Sequence, residues 1–174
     1  MTRARPNRCV TLNVDTAARS GWAIWRDDRC ICSDEVDVDD LEAVLEACRT
    51  AVELGLAHAL PAVLVTEKAW GGNRHQLLGM GGAAKVWRSA WVMAGGQKSK
   101  RLEVYTSSWR ARVLGKGMGR APREVARPAE QRLAKALVGR DVGPDEAPAI
   151  CIGKWTTYAT EVWKVLPKRF QGAA

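Results

Sequence analysis

Two stretches of this sequence restrict its fold more than any others. Residues 9–15, CVTLNVD, are β-rich and close on an acid, Asp15. Residues 62–67, AVLVTE, read as a buried strand and close on another, Glu67. A charge at the end of a buried strand is costly unless something pairs with it. After Asp15, TAARS reads as a turn and GWAIWR as a second strand, so residues 9–26 predict a hairpin. RCICSDEVDV supplies a third strand, and the spacing predicts an antiparallel meander of three.

The rest of the chain alternates helix and strand. Residues 39–59 carry Leu41, Val44, Leu45, Cys48, Val52 and Leu56 at helical spacing, with acids in the first turn and Pro61 beyond the end. Residues 74–94 predict a second long helix, capped by Asn73. After the linker GGQKSKR, LEVYT predicts a fifth strand. A short helix around Ser108–Val113 leads into GKGMGRAPRE, a basic glycine-rich loop. Residues 124–138 and 146–164 read as helices. The order βββαβαβα, with helices after it, predicts an α/β fold: a mixed five-stranded sheet with helices on both faces. With 174 residues and 47% hydrophobic content, one domain is expected over residues 9–166. Residues 1–8 read as a basic disordered arm and 167–174 as a C-terminal tail.

A formal net charge of +8 favours an anionic partner, nucleic acid ahead of a membrane surface. No apolar run approaches the roughly 18 residues of a membrane span. Five cysteines without framework spacing point to reduced thiols and a cytoplasmic setting. Cys30 and Cys32 form C-x-C, but His58 and His75 lack partner spacing for a zinc site.

Asp15 and Glu67 would meet if their strands lay side by side. Two converging carboxylates repel unless a cation sits between them, and a hard ion such as Mg²⁺ takes oxygen ligands and phosphate. A third acidic cluster, Asp141, Asp145 and Glu146, opens the last helix. Each acid also has a plainer reading. Strand-end acids cap turns, and Asp145 at a helix start contributes about 1 kcal/mol as an N-cap.

Five motifs in order resemble the ribonuclease H-like superfamily, and within it the RuvC-type Holliday junction resolvases. These are VDTAARSGWAI, TEKAW, LGMGGAAKVW, VYTSSWRARVLGKGMGRAPREV and DEAPAICIG, spanning roughly residues 9–155. The resemblance implies a ribonuclease H-like sheet and a homodimeric endonuclease making paired nicks in four-way DNA junctions. It implies two Mg²⁺ (or Mn²⁺) ions about 4 Å apart, held by Asp15, Glu67 and Asp145 with Glu146 or Asp141. It places Lys116 near the scissile phosphate and Trp70 as a wedge at the branch point. Arg74, Arg112, Arg120 and Lys116 would face DNA. The helix around Gly79–Trp91 would form the dimer contact, and the source would be bacterial or phage-encoded. One position departs: where the family carries a second ligand on the last helix, this chain has Pro148. That leaves two alternatives, a related nuclease acting on RNA or RNA–DNA hybrids, and a catalytically weakened junction-binding protein. Lys116 also reads as a solvated loop base, Trp70 as a core residue, and the helix glycines as packing on the protein's own sheet.

Overall fold

The computed structural model describes residues 6–68 and 74–172, and for 74–78 the backbone alone. Three strands open the chain: β1 Val10–Asp15, β2 Arg19–Arg26 and β3 Arg29–Asp37. They pair antiparallel, as the hairpin pattern predicts. Helix α1 (Leu41–Ala57) carries the chain to β4 (Ala62–Glu67), and α2 (Arg74–Met93) carries it to β5 (Arg101–Val104). β4 lies parallel to β1 and β5 parallel to β4, so the mixed sheet runs β3-β2-β1-β4-β5. Three helices follow: α3 Thr106–Val113, α4 Arg123–Val138 and α5 Glu146–Tyr158.

Alternation along the strands divides the core in two. Val10, Leu12, Val14 and Leu64 pack with Val44, Ala47 and Cys48 of α1 and with Trp87 and Trp91 of α2. On the other face Val63, Val65 and Val104 pack with Trp109 of α3 and with Ile152 and Trp155 of α5. Ala23 and Trp25 meet Ala149 and Ile150 of α5 and Ala134 of α4. Full burial of a large apolar side chain contributes about 1.5–3 kcal/mol, so these layers dominate stability.

Several expectations shift in detail. Leu41 and Leu56 are 62% and 76% exposed. The buried face of α1 is instead Val44, Ala47, Cys48, Ala51 and Gly55, whose small side chains let the helix lie close to the sheet. Its cap is Asp40, which accepts from the Ala43 amide at 3.0 Å. α5 stops at Tyr158, because Ala159 takes an extended conformation and the chain continues as a 3-10 turn over Thr160–Lys164. Asn73 lies outside the described residues.

The outer segments are tied down. Asn7 is buried, and its Nδ2 donates to the carbonyls of Thr156 and Ala159. Its Oδ1 accepts from Trp163 Nε1 and the Gly172 amide, both at 2.9 Å. The Arg8 amide donates to the Phe170 carbonyl. Asn7 and Arg8 are thus joined by hydrogen bonds to Phe170 and Gly172.

Candidate active site

Strand parity decides where the two acids point. Side chains on a strand alternate between faces. Val10, Leu12 and Val14 face α1 and α2, so Asp15 shares the opposite face with Thr11 and Asn13. That face meets α5, where the hydroxyls of Thr11 and Thr156 lie 3.3 Å apart. Glu67 shares its face with Val63 and Val65, which is again the α5 side. The last register pair of the two parallel strands is Val14 with Thr66, so Asp15 and Glu67 stand one step beyond it, side by side. The hydroxyl of Thr16 fixes the junction by donating to the Glu67 carbonyl at 3.0 Å.

The start of α5 supplies the third acid. Asp145 is brought onto the sheet by Gly21 of β2, where a Cβ would overlap the Asp145 carbonyl. Glu35 of β3 accepts from the amides of Asp145 and Glu146 at 3.0 and 3.1 Å, and Arg19 holds its other oxygen at 3.0 Å. The helix N-terminus is thus capped from across the sheet, which satisfies amides that have no partner inside the helix.

These acids open onto a cleft of about 530 Å³ that also contains Glu130 and three arginines, Arg110, Arg123 and Arg127. Two of its carboxylates have cationic partners. Arg127 Nη2 donates to Asp145 Oδ1 at 2.8 Å, with Arg123 at 3.9 Å, and Arg110 Nε donates to Glu130 Oε1 at 2.6 Å. Asp15 and Glu67 have none among the described residues. Among the described residues the Glu67 carboxyl accepts from the Trp109 indole N–H alone, at 3.0 Å, and it lies within hydrogen-bonding reach of Asp15. Burial first, and then Glu67, holds the Asp15 carboxyl well above its ordinary value.

That shift fixes a sign. Unfolded Asp15 titrates near 3.9, the native group higher, so between the two values the native state holds the extra proton. Stability is fully present below the unfolded value and is lost as pH rises through the native one. Metal-free Asp15→Asn protein is expected to melt a few degrees above the wild type at pH 7.5, with the gain gone at pH 3.5. Melting curves at the two pH values check this, and an unchanged melting temperature at pH 7.5 would contradict it.

The other predicted site residues lie elsewhere. Burial pushes the Glu146 carboxyl up, but hydrogen bonds from Arg140, Ser33 and the Gly143 amide outweigh it and hold it below its ordinary value. Glu146 thereby fastens α5 to β3 and turns away from the cleft. Asp141 is 90% exposed and pairs with Lys135 at 2.7 Å, six residues away on α4. Pro148 lines the cleft. Lys116 is exposed in its loop between Gly115 and Gly117, both at positive φ. Arg112 reaches the Tyr158 carbonyl and Glu161, on the far side of α3. Arg120 is exposed at the end of a 3-10 turn. Trp70 lies outside the described residues, and Arg74 falls where only backbone is described. On α2, a Cβ at Gly79, Gly81 or Gly82 would meet nothing among the described residues. The protein's own sheet therefore does not require these glycines.

Glu130, Arg110, Arg123 and Arg127 were not legible as site residues. In the structure Ala126, Glu130 and Ala134 form the buried stripe of α4, and an acid within such a stripe is anomalous.

The sheet order and the helices on both faces define a ribonuclease H-like α/β fold. Among solved structures, this chain is similar to RuvC of Thermus thermophilus, with TM-score 0.58 and 13% identity over 83% of this chain and 91% of that one. It is also similar to Thermus thermophilus RuvC in complex with Holliday junction substrate, with TM-score 0.59 and 12% identity over 84% and 92%. No family model and no curated protein matches the sequence. At this identity the likeness establishes the fold.

Proposed function

We propose that this protein is a divalent-metal-dependent endonuclease for branched DNA, acting on four-way junctions as a homodimer. The observation that carries the reading is the Asp15–Glu67 pair: two carboxyls side by side at adjacent strand ends, with no cationic side chain on either among the described residues, in a chain of net charge +8. The similarity in fold to RuvC, one structure of which holds a Holliday junction substrate, supports the choice of DNA.

The donor set suits a hard ion, since every group is an oxygen and Asp15 is strained by its neighbour. Among the described residues, no three acid, histidine or cysteine groups gather closely enough for one ion. The fit is thus to the pair, with Asp15 and Glu67 as the holding residues and Asp145, engaged by Arg127, beside them. A bound Mg²⁺ or Mn²⁺ would supply an activated water and charge stabilisation at the phosphate. The chain's own contribution is positional. Trp109 orients Glu67, Thr16 locks the two strand ends together, and Gly21 and Glu35 set Asp145. The arginines at the cleft attract the backbone phosphates of DNA. The Cβ directions of the α2 glycines, which meet nothing among the described residues, support a second copy docking there, and two-fold symmetry would suit paired nicks.

Pro148 at the cleft and the Arg127–Asp145 ion pair favour a second reading, a junction-binding protein that does not cut. One experiment separates the two. A mobile four-way junction, a linear duplex and an RNA–DNA hybrid are incubated with the protein in Mg²⁺. Paired nicks on the junction alone are expected. Selective binding without nicks would install the second reading, and cutting of the hybrid would move the substrate to RNA.

A further inference from the structure

Arg110 is the most enclosed cation of the cleft, with its side chain 16% exposed. Its Nε is committed to Glu130, and its guanidinium lies over the Trp109 ring, 5.3 Å from the centroid. Trp109 in turn donates to Glu67. The two terminal nitrogens of Arg110 bond to no protein group among the described residues, and the residue lines the cleft together with Asp15 and Glu67. A guanidinium anchored through Nε and stacked on a ring keeps its Nη N–H groups for a phosphate.

Glu130 gives this arrangement its cost and its purpose. It is fully buried on α4, and its Oε2 has no hydrogen-bond partner among the described residues. A buried carboxylate with an idle oxygen is expensive for the fold. Its one engaged oxygen fixes one arginine beside the two unpaired acids. Lys116, the cation that the motif resemblance assigns to the phosphate, is exposed and outside the cleft.

We propose that Arg110 is a phosphate-binding residue of this cleft and that Glu130 is the positioning residue that sets it, the pair filling the neutralising role otherwise given to Lys116. In its choice of a phosphodiester this rests on the nuclease reading, but the anion site itself can be tested apart from cutting.

The side-chain ¹⁵N–¹H spectrum of the full chain is titrated with inorganic phosphate, with Arg110 signals assigned by their absence in Arg110→Lys. Phosphate is expected to move the Arg110 Nη signals in the wild type. In Glu130→Gln the response should weaken about tenfold, the loss of one charge-assisted contact. Glu130→Asp, which keeps the charge, serves if the glutamine variant fails to fold, and should fall between. In the junction assay Glu130→Gln should lower kcat about 10–100-fold while the junction Kd stays within about threefold, a split that a merely structural residue would not produce. Arg110→Lys should not restore the rate, because an ammonium lacks the fork. Arg110 signals unmoved by phosphate would overturn the proposal. So would nicking by Glu130→Gln at the wild-type rate, with the nuclease reading left standing. A phosphate response without any nicking by the wild type would sink the nuclease reading and leave the anion site in place.

Discussion

Asp15→Asn protein should nick a four-way junction at least about 10³-fold more slowly than the wild type in Mg²⁺, a loss of about 4 kcal/mol from the barrier. Asparagine keeps the shape of the side chain and can donate to Glu67, so the strand ends stay together. What disappears is one of only two carboxyls in the cleft that have no arginine partner among the described residues. A neutral amide holds a hard cation poorly. Binding should behave differently. Removing one negative charge from a cleft rimmed by Arg110, Arg123 and Arg127 leaves junction affinity equal to the wild type or tighter. Single-turnover cleavage and electrophoretic binding on the same junction measure both. Wild-type cutting by the variant would remove Asp15 from the chemistry. Parallel loss of binding would point to misfolding.

Gly21→Ala should be the most destabilising small substitution near the site. The added Cβ would overlap the Asp145 backbone carbonyl, and backbone cannot swing aside as a side-chain tip does. Overpacking of this kind costs about 1–3 kcal/mol, and the upper end applies here. For a chain of this size about 3 kcal/mol lowers the melting temperature by roughly 6–12 °C. The methyl also lifts the start of α5, and Asp145 with it, so nicking should fall beyond what the unfolded fraction explains. A control is Gly79→Ala on α2, where the Cβ meets nothing among the described residues and alanine favours a helix. Its monomer stability should rise or hold. An unchanged melting temperature for Gly21→Ala would mean that α5 does not press on β2.

Asp15 and Glu67 were legible because strand patterns expose parity, and parity survives folding. A β-rich run closing on an acid states which face the acid takes once the neighbour is known. The sheet and element order followed for the same reason. The acidic start of α5 was legible only as composition. Asp141, Asp145 and Glu146 lie within six residues, and the sequence cannot rank them. The structure separates them by partners: Lys135 for Asp141, the cleft for Asp145, and β3 for Glu146. Glu130 escaped because residues 124–138 read only as a helix, and nothing local says that Ala126 and Ala134 point inward. The amphipathic reading of α1 failed at Leu41 and Leu56 because the helix packs through its alanines and a glycine rather than its largest side chains.

The Asp15–Glu67 pair has a consequence on an evolutionary scale. With no cation beside it, the Asp15 carboxyl works against the fold, since burial and the neighbouring Glu67 both oppose its charge. Most substitutions weaken a protein, but here a neutral replacement would strengthen it. On the proposed nuclease function, a lineage released from the need to cut would therefore lose Asp15 early and keep the sheet. A descendant with an intact scaffold and an asparagine at position 15 would be the expected fossil of an abandoned nuclease.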